Sequence, residues 1–369
     1  MEVLANRYLF KFKDMMPESV KVDLFDPGNL PGDVHSYDAL FVNTTTPLNS
    51  DTLPEPGNIQ FVATGSSGTD HMDEAYLMSQ NITTGHARGC NATSVAEYVL
   101  TSVLVYLDSR NLPLNALTAG IVGAGAVGSE VSRLFSLAEI PHILYDPPRQ
   151  ERDSDFISAT MKQLFSCDIL TFHTPLTTTG KHPTHHLLNA SWFENTTYEL
   201  ILNTARGGVV DEATVLNRLE ENHLDEFIAD VWENEPLFSP QTAHQAFFST
   251  PHIAGYSVQS KRRATEMIIN QFCDHFGITS PEPKTESPVK KDLSGKYQKI
   301  SQLLLEIHPI PFFDRKMRDL ADLNESERGK LFAKLRSETP LRHEFSNLML
   351  DERYLKRFSL LQKLGIKAS

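Results

Sequence analysis

The hexapeptide Gly123-Ala124-Gly125-Ala126-Val127-Gly128 lies directly behind the apolar run Ala119-Gly120-Ile121-Val122 and opens a stretch in which Val131, Leu134 and Phe135 fall at helical spacing. A strand that turns through closely spaced glycines into a helix is the start of a βαβ unit. The first glycine permits a tight turn, the second lets an anion approach the backbone, and the third lets helix and strand pack closely. The N–H groups and dipole at the start of that helix suit a phosphate. The same rhythm recurs downstream: apolar runs at Ile143-Leu144-Tyr145, Ile169-Leu170-Thr171-Phe172 and Leu200-Ile201-Leu202-Asn203 are separated by helical segments. This alternation predicts an α/β fold with a Rossmann-type, doubly wound parallel sheet.

The first ~90 residues show a similar pattern, with Ala39-Leu40-Phe41-Val42 before Asn43-Thr44-Thr45 and Ile59-Gln60-Phe61-Val62-Ala63-Thr64 before Gly65. From Ser94 to Tyr106, Val95, Val99, Leu100, Val103 and Leu104 recur at helical spacing, which predicts a long helix leading out of this first α/β region. Residues 279–288 are rich in proline and lack apolar periodicity, so they read as an exposed linker before a separate C-terminal module. The expected division is an outer domain over 1–93, completed by 258–280, a sheet-and-helix domain over 94–257, and the linker with its module over 281–369.

A chain of 369 residues exceeds what one hydrophobic core usually serves. Its 47 acidic and 34 basic residues give a net charge of −13, a field that repels nucleic acid and anionic lipid, so neither is expected as a partner. The sequence has no apolar run of about 18 residues to span a bilayer, and its first residues lack the basic and apolar blocks of a secretory signal. Cys90, Cys167 and Cys273 are widely spaced and form no C-x-x-C motif, which fits a reducing cytoplasm. The cluster His182-Pro183-Thr184-His185-His186 has no cysteine or carboxylate at ligand spacing, and no metal is expected.

Asp146 follows Gly128 by 18 residues, close to the interval of about 20 at which an acid binds the adenosine ribose of a dinucleotide. A carboxylate there favours NAD over NADP, and Arg149 nearby works against that choice. Downstream, Arg206 sits after an apolar strand in Asn203-Thr204-Ala205-Arg206-Gly207-Gly208, where a guanidinium can pair bidentately with a carboxylate. Asp230-Val231-Trp232-Glu233-Asn234-Glu235 carries acids, and His252 lies in the loop Thr250-Pro251-His252-Ile253-Ala254-Gly255. Taken singly, each has an ordinary structural reading. Together they supply a cation for a substrate carboxylate, a proton carrier that cycles near neutral pH, and an acid to orient it.

From about Phe61 to Gly255 these segments resemble the D-isomer-specific 2-hydroxyacid dehydrogenase family. The resemblance implies that Arg206 binds the substrate carboxylate and carbonyl, that Glu235 partners His252 as acid–base, and that Asp230, Gly255 and Thr174 lie beside NAD with Gly123, Gly125, Gly128 and Asp146. Within the family, Gly68-Thr69-Asp70-His71, Gly89-Cys90-Asn91-Ala92, Asp168-Ile169-Leu170-Thr171-Phe172-His173-Thr174-Pro175-Leu176 and the stretch Thr250–Tyr256 are similar to the branch that oxidises 4-phospho-D-erythronate to its 2-oxo acid in vitamin B6 biosynthesis. That implies a small phosphorylated hydroxy-acid substrate, with Thr44, Ser66 and Tyr256 at its positions. It also implies a flavodoxin-like substrate domain, a small C-terminal α+β dimerisation domain and a homodimer. Asn43 departs from the arginine usual there and Arg88 from a proline, while Ser337 and His343 replace basic residues of the C-terminal pattern. Two other readings stay open: a dehydrogenase of the same fold acting on an unphosphorylated acid, and an NAD-sensing interaction protein like the corepressors of this fold.

Overall fold

The computed structural model describes residues 1–26, 28, 30–282 and 286–369. Residues 283–285 of the expected linker lie outside the described residues. The chain forms two compact units, Met1–Asn91 with Ser257–Ser287, and Ala92–Tyr256 with Pro288–Ser369.

In the first unit, strands β1 (Glu2–Asn6), β2 (Lys21–Phe25), β3 (Ala39–Val42), β4 (Phe61–Thr64) and β5 (Thr83–His86) pair in parallel in the order β2-β1-β3-β4-β5. This is the flavodoxin-like order. β3 and β4 are buried on both faces, which explains why they read as continuous apolar runs rather than alternating ones. The helix Val258–Phe276 returns to cover this sheet. Its Phe272 ring meets Phe41 and Phe61 at centroid distances of 5.5 and 6.0 Å. Ser257 caps its start by accepting the Ser260 N–H, and Gly277 ends it at φ +67°.

In the second unit, β6 (Ala119–Val122), β7 (His142–Tyr145), β8 (Ile169–Phe172), β9 (Tyr198–Asn203), β10 (Leu224–Ala229) and β11 (Phe248–Ser249) form a parallel sheet ordered β11-β10-β9-β8-β6-β7. The winding reverses between β6 and β8, and the crevice outside the carboxyl ends at such a point is where these sheets bind ligands. The helix predicted near Ser94–Tyr106 spans Ala92–Ser109 and is buried along nearly its whole length.

That burial has a cause in the C-terminal residues. They form helices Ile300–Ile307, Ile310–Ala321, Glu325–Ser337, Glu352–Arg357 and Ser359–Lys363, with a small parallel sheet of β12 (Val289–Lys290), β13 (Leu348–Leu350) and β14 (Lys367–Ala368). Leu303, Leu304, Ile307 and Phe345 share one core with Val95, Tyr98, Val99 and Val103. Inside it Arg342 pairs with Glu97, their side chains 7% and 3% exposed. Arg342 also donates to the Ser94 carbonyl at 2.8 Å, and the Phe345 N–H donates to Glu97 at 2.7 Å. Burial pushes the Glu97 carboxyl up to about 7 in spite of Arg342, and Glu344 adds to the rise. A second brace lies at the sheet edge, where Asp314 accepts the Ser249 N–H at 2.9 Å and so covers the short edge strand β11. Arg318 donates to the Ala246 carbonyl at 2.6 Å beside it. The side chains of Cys90, Cys167 and Cys273 are buried as thiols.

Because the C-terminal residues complete this core, removing Arg342 leaves a buried carboxylate without its cation. Arg342→Ala should lower unfolding free energy at pH 8 by about 3–5 kcal/mol, read by urea titration. The folded chain holds the Glu97 proton up to about pH 7 while the reference value is 4.5. Its contribution is therefore complete below the lower value and lost as pH rises through the higher one. Glu97→Gln should flatten the stability profile across that window; an unchanged slope would show that Glu97 does not titrate there.

Candidate active site

In a parallel sheet every strand delivers its following loop to the same edge. Gly123–Gly128 follow β6, Asp146 follows β7, Thr174 follows β8, Arg206 follows β9, Asp230 and Glu235 follow β10, and His252 follows β11. The expected residues of this unit are thus gathered along one carboxyl edge. In the first sheet Thr44 and Ser66 occupy the equivalent edge, after β3 and β4.

The glycines of the first loop serve different needs. Gly123 has φ +94°, and a Cβ on it would lie 2.9 Å from the His173 carbonyl carbon; a Cβ on Gly128 would lie 1.8 Å from the Gly123 oxygen. A Cβ on Gly125 meets nothing within 4 Å, so no internal contact demands glycine there. Gly125 also caps the helix Ala126–Leu137 without a competing side chain. A bare backbone at a helix N-terminus fits a pyrophosphate. An open cleft of about 490 Å³ adjoins it, lined by Gly125, Ser129, Arg149 and Arg152 among others. The Thr174 hydroxyl oxygen is buried with no protein partner among the described residues, as a group reserved for a ligand would be. Asp146 accepts the Ala124 N–H and the Arg149 N–H, each at 2.8 Å, which ties β7 to the glycine loop. Arg149 itself donates to the Ala124 carbonyl at 2.8 Å and lies over the Phe156 ring at 4.3 Å.

His252 Nδ1 meets Glu235 Oε2 at 2.9 Å and Oε1 at 3.1 Å. The histidine has φ +58°, a left-handed conformation that costs a non-glycine residue about 1–3 kcal/mol and persists only when its surroundings enforce it. Asp230 provides the enforcement. Its buried carboxylate accepts the Thr250 hydroxyl at 2.6 Å, the Ile253 N–H at 2.8 Å and the Ala254 N–H at 3.0 Å, clasping the His252 loop from both sides. Burial raises the Asp230 carboxyl above its ordinary range against the pull of His252 and these hydrogen bonds. Glu235 shows the opposite balance. Burial pushes it up, but His252, Arg336 and the Trp232 N–H at 3.0 Å outweigh that and hold it below the ordinary value.

Arg206 projects from a turn shaped by Asn203, whose side chain accepts the Ala205 N–H and donates to the Arg206 carbonyl, both at 3.1 Å. A Cβ on Gly207 would lie 1.8 Å from the Trp232 oxygen, so that glycine allows the Arg206 loop to lie against the Glu235 loop. Neither role has a local sequence signature. Arg336, from the basic C-terminal stretch Lys334-Leu335-Arg336, also enters this site, at a contact the sequence did not indicate. It reaches to 3.6 Å from Glu235 Oε2 and interacts with Tyr256. His186, distant from any acid in sequence, is joined in the fold by Asp211 and Glu233. Their atoms are engaged with protein: His186 with Glu233 at 3.0 Å, and Asp211 as the cap of the helix Glu212–Glu220.

Residues 105–254 match the family model described as D-isomer specific 2-hydroxyacid dehydrogenase, NAD binding domain. Among relatives, an erythronate-4-phosphate dehydrogenase of Marinobacter nauticus is 35% identical, covering 86% of this chain and 86% of its own. Those of Bacteroides fragilis and Legionella pneumophila are 34% and 33% identical, covering 93% and 98% of this chain and 97% and 100% of theirs. The fold is also that of the NAD-dependent formate dehydrogenase of Staphylococcus aureus, solved with NAD (TM-score 0.60, 20% identity, 77% of this chain and 97% of that one). It is likewise that of the D-lactate dehydrogenase of Aquifex aeolicus, solved with NAD and lactic acid (TM-score 0.58, 21% identity, 75% and 96%). With an NAD-binding domain matched over residues 105–254 and relatives 33–35% identical over 86–98% of its length, the chain belongs to the erythronate-4-phosphate dehydrogenase family of the D-isomer-specific 2-hydroxyacid dehydrogenases.

Proposed function

We propose that this chain oxidises 4-phospho-D-erythronate at C2 to 2-oxo-3-hydroxy-4-phosphobutanoate, a step of vitamin B6 biosynthesis. The observation that carries the reading is the bidentate approach of Glu235 to His252 Nδ1, which leaves Nε2 to take up the C2 hydroxyl proton. Arg206 pairs with the C1 carboxylate and sets C2 before the base. Glu235 offsets the charge that His252 gains as the proton arrives. When bound, NAD accepts the C2 hydride. Gly123, Gly125, Gly128, Asp146, Thr174, Asp230 and Gly255 are the proposed cofactor contacts, and Thr44, Ser66 and Tyr256 the proposed substrate contacts. A homodimer in the cytoplasm is part of the proposal, and three buried thiols suit that compartment.

One observation favours action on an unphosphorylated acid as the second reading. The Asn43 side chain accepts the Thr45 N–H at 3.1 Å and reaches Asn6 at 3.4 Å, and Arg88 is drawn to Thr69 at 3.4 Å and Glu74 at 3.6 Å. Asn43 carries no charge to offer a phosphate, and Arg88, though 58% exposed, is drawn toward an acid. NADH formation with 4-phospho-D-erythronate beside D-glycerate and D-lactate decides between the two, because a preference for either unphosphorylated acid overturns the first.

His252→Ala should lower kcat by at least about 10²-fold while NAD binding, followed by calorimetry, stays near wild type. Unchanged turnover removes His252 from the chemistry. For the cofactor, Asp146 spends two acceptor sites on the backbone and keeps others for ribose hydroxyls. Asp146→Ala should weaken NAD binding roughly tenfold through loss of charge-assisted hydrogen bonds and narrow the NAD/NADP ratio of kcat/KM. An unmoved ratio would assign the discrimination to another residue.

A further inference from the structure

We propose that Arg336, carried by the helix Glu325–Ser337, is a positioning residue of the proton relay: by sharing the Glu235 carboxylate with His252 it sets the pH below which His252 stops working as a base. The inference rests on the dehydrogenase reading above. One carboxylate is contested from two sides. Its Oε2 lies 2.9 Å from the His252 ring and 3.6 Å from the Arg336 guanidinium, and its Oε1 is held by the Trp232 N–H at 3.0 Å. Arg336 also interacts with Tyr256, four residues beyond His252. Its Nε is buried and has no acceptor among the described residues, while the side chain as a whole is 26% exposed.

The surroundings explain why a cation is useful there. Asp230 at the end of β10 acts on His252, and Glu212, at the start of the helix Glu212–Glu220, acts on Glu235. Asp230 and Glu235 are thus the carboxylates that interact with the His252 ring. A base held too firmly in its protonated form at neutral pH cannot accept the substrate proton. A guanidinium remains charged at every working pH, and beside Glu235 it weakens that hold. Burial opposes the Arg336 charge, but Tyr256 and Glu235 raise its affinity for the proton further. The charge reaches the site from the C-terminal segment, 84 residues beyond His252.

The test replaces Arg336 by Gln, Met and Lys and follows kcat/KM for the phosphorylated acid against pH at saturating NAD. Gln and the apolar Met, of similar length, should move the acid limb upward by about half a unit to one unit, and Lys should leave it near wild type. In a Glu235→Gln background the same Arg336 change should move the limb by much less, since the shared carboxylate charge is gone. A limb that stays in place in both neutral variants overturns the proposal. So does a raised KM with an unmoved limb, which would make Arg336 a direct substrate contact. Titration of the His252 ring by NMR, assigned by its loss in His252→Ala, reads the same shift without turnover. If the wild-type protein shows no NAD-dependent activity, the dehydrogenase reading fails while this titration still decides the role of Arg336.

Discussion

The carboxylate of Asp230 is the constraint on which the site depends. It is buried at the end of β10 and satisfied by one hydroxyl and two backbone N–H groups, all from the loop that follows β11. A buried acid that lost these partners would carry a desolvation cost of about 1–3 kcal/mol per unmade bond, so loop and acid hold each other in place. The left-handed backbone of His252 is one result, and the alignment of its ring with Glu235 is another. Thr250 extends the network to Tyr98 at 2.9 Å, and through it to the long helix Ala92–Ser109.

That helix is also where the C-terminal residues attach. The Arg342–Glu97 pair, the Asp314 contact to Ser249 and the Arg336 contact to Glu235 all bring C-terminal side chains to elements that carry or brace the site. An added module that merely joined two copies would not need three separate polar anchors on the same unit. The first two anchors also resolve a local problem: a buried carboxylate and an uncovered strand edge.

The strands were legible because a parallel sheet covered on both faces demands uninterrupted apolar residues. Ala119–Val122 and Ile169–Phe172 are strands over the same residues that the sequence pattern marks. β11, with two residues, is too short to leave a period, although the loop after it carries His252. The identities of Arg206, Glu235 and His252 could be named from motif context, whereas the contact between the last two depends on two strands, β10 and β11, ending at one edge. The need for Gly207 had no signal, and Arg336 stood out only as part of a basic C-terminal pattern, with nothing to tie it to Glu235, since the reasons for both lie in distant segments. The Pro-rich composition of residues 279–288 marks a linker, but the core shared beyond it rests on a pairing 245 residues apart, beyond the reach of any window along the chain.

The three buried thiols carry a practical consequence. Cys90 and Cys273 belong to the first compact unit and Cys167 to the second. Burial, helped by Asp168, pushes the Cys167 thiol up to about 11, and burial also raises Cys273, so neither is a ready nucleophile while its surroundings are closed. Modification by an alkylating reagent then requires local opening, and its rate at each site measures how often that unit exposes its interior. The native chain thus contains separate internal clocks for the breathing of its two halves, with no label introduced.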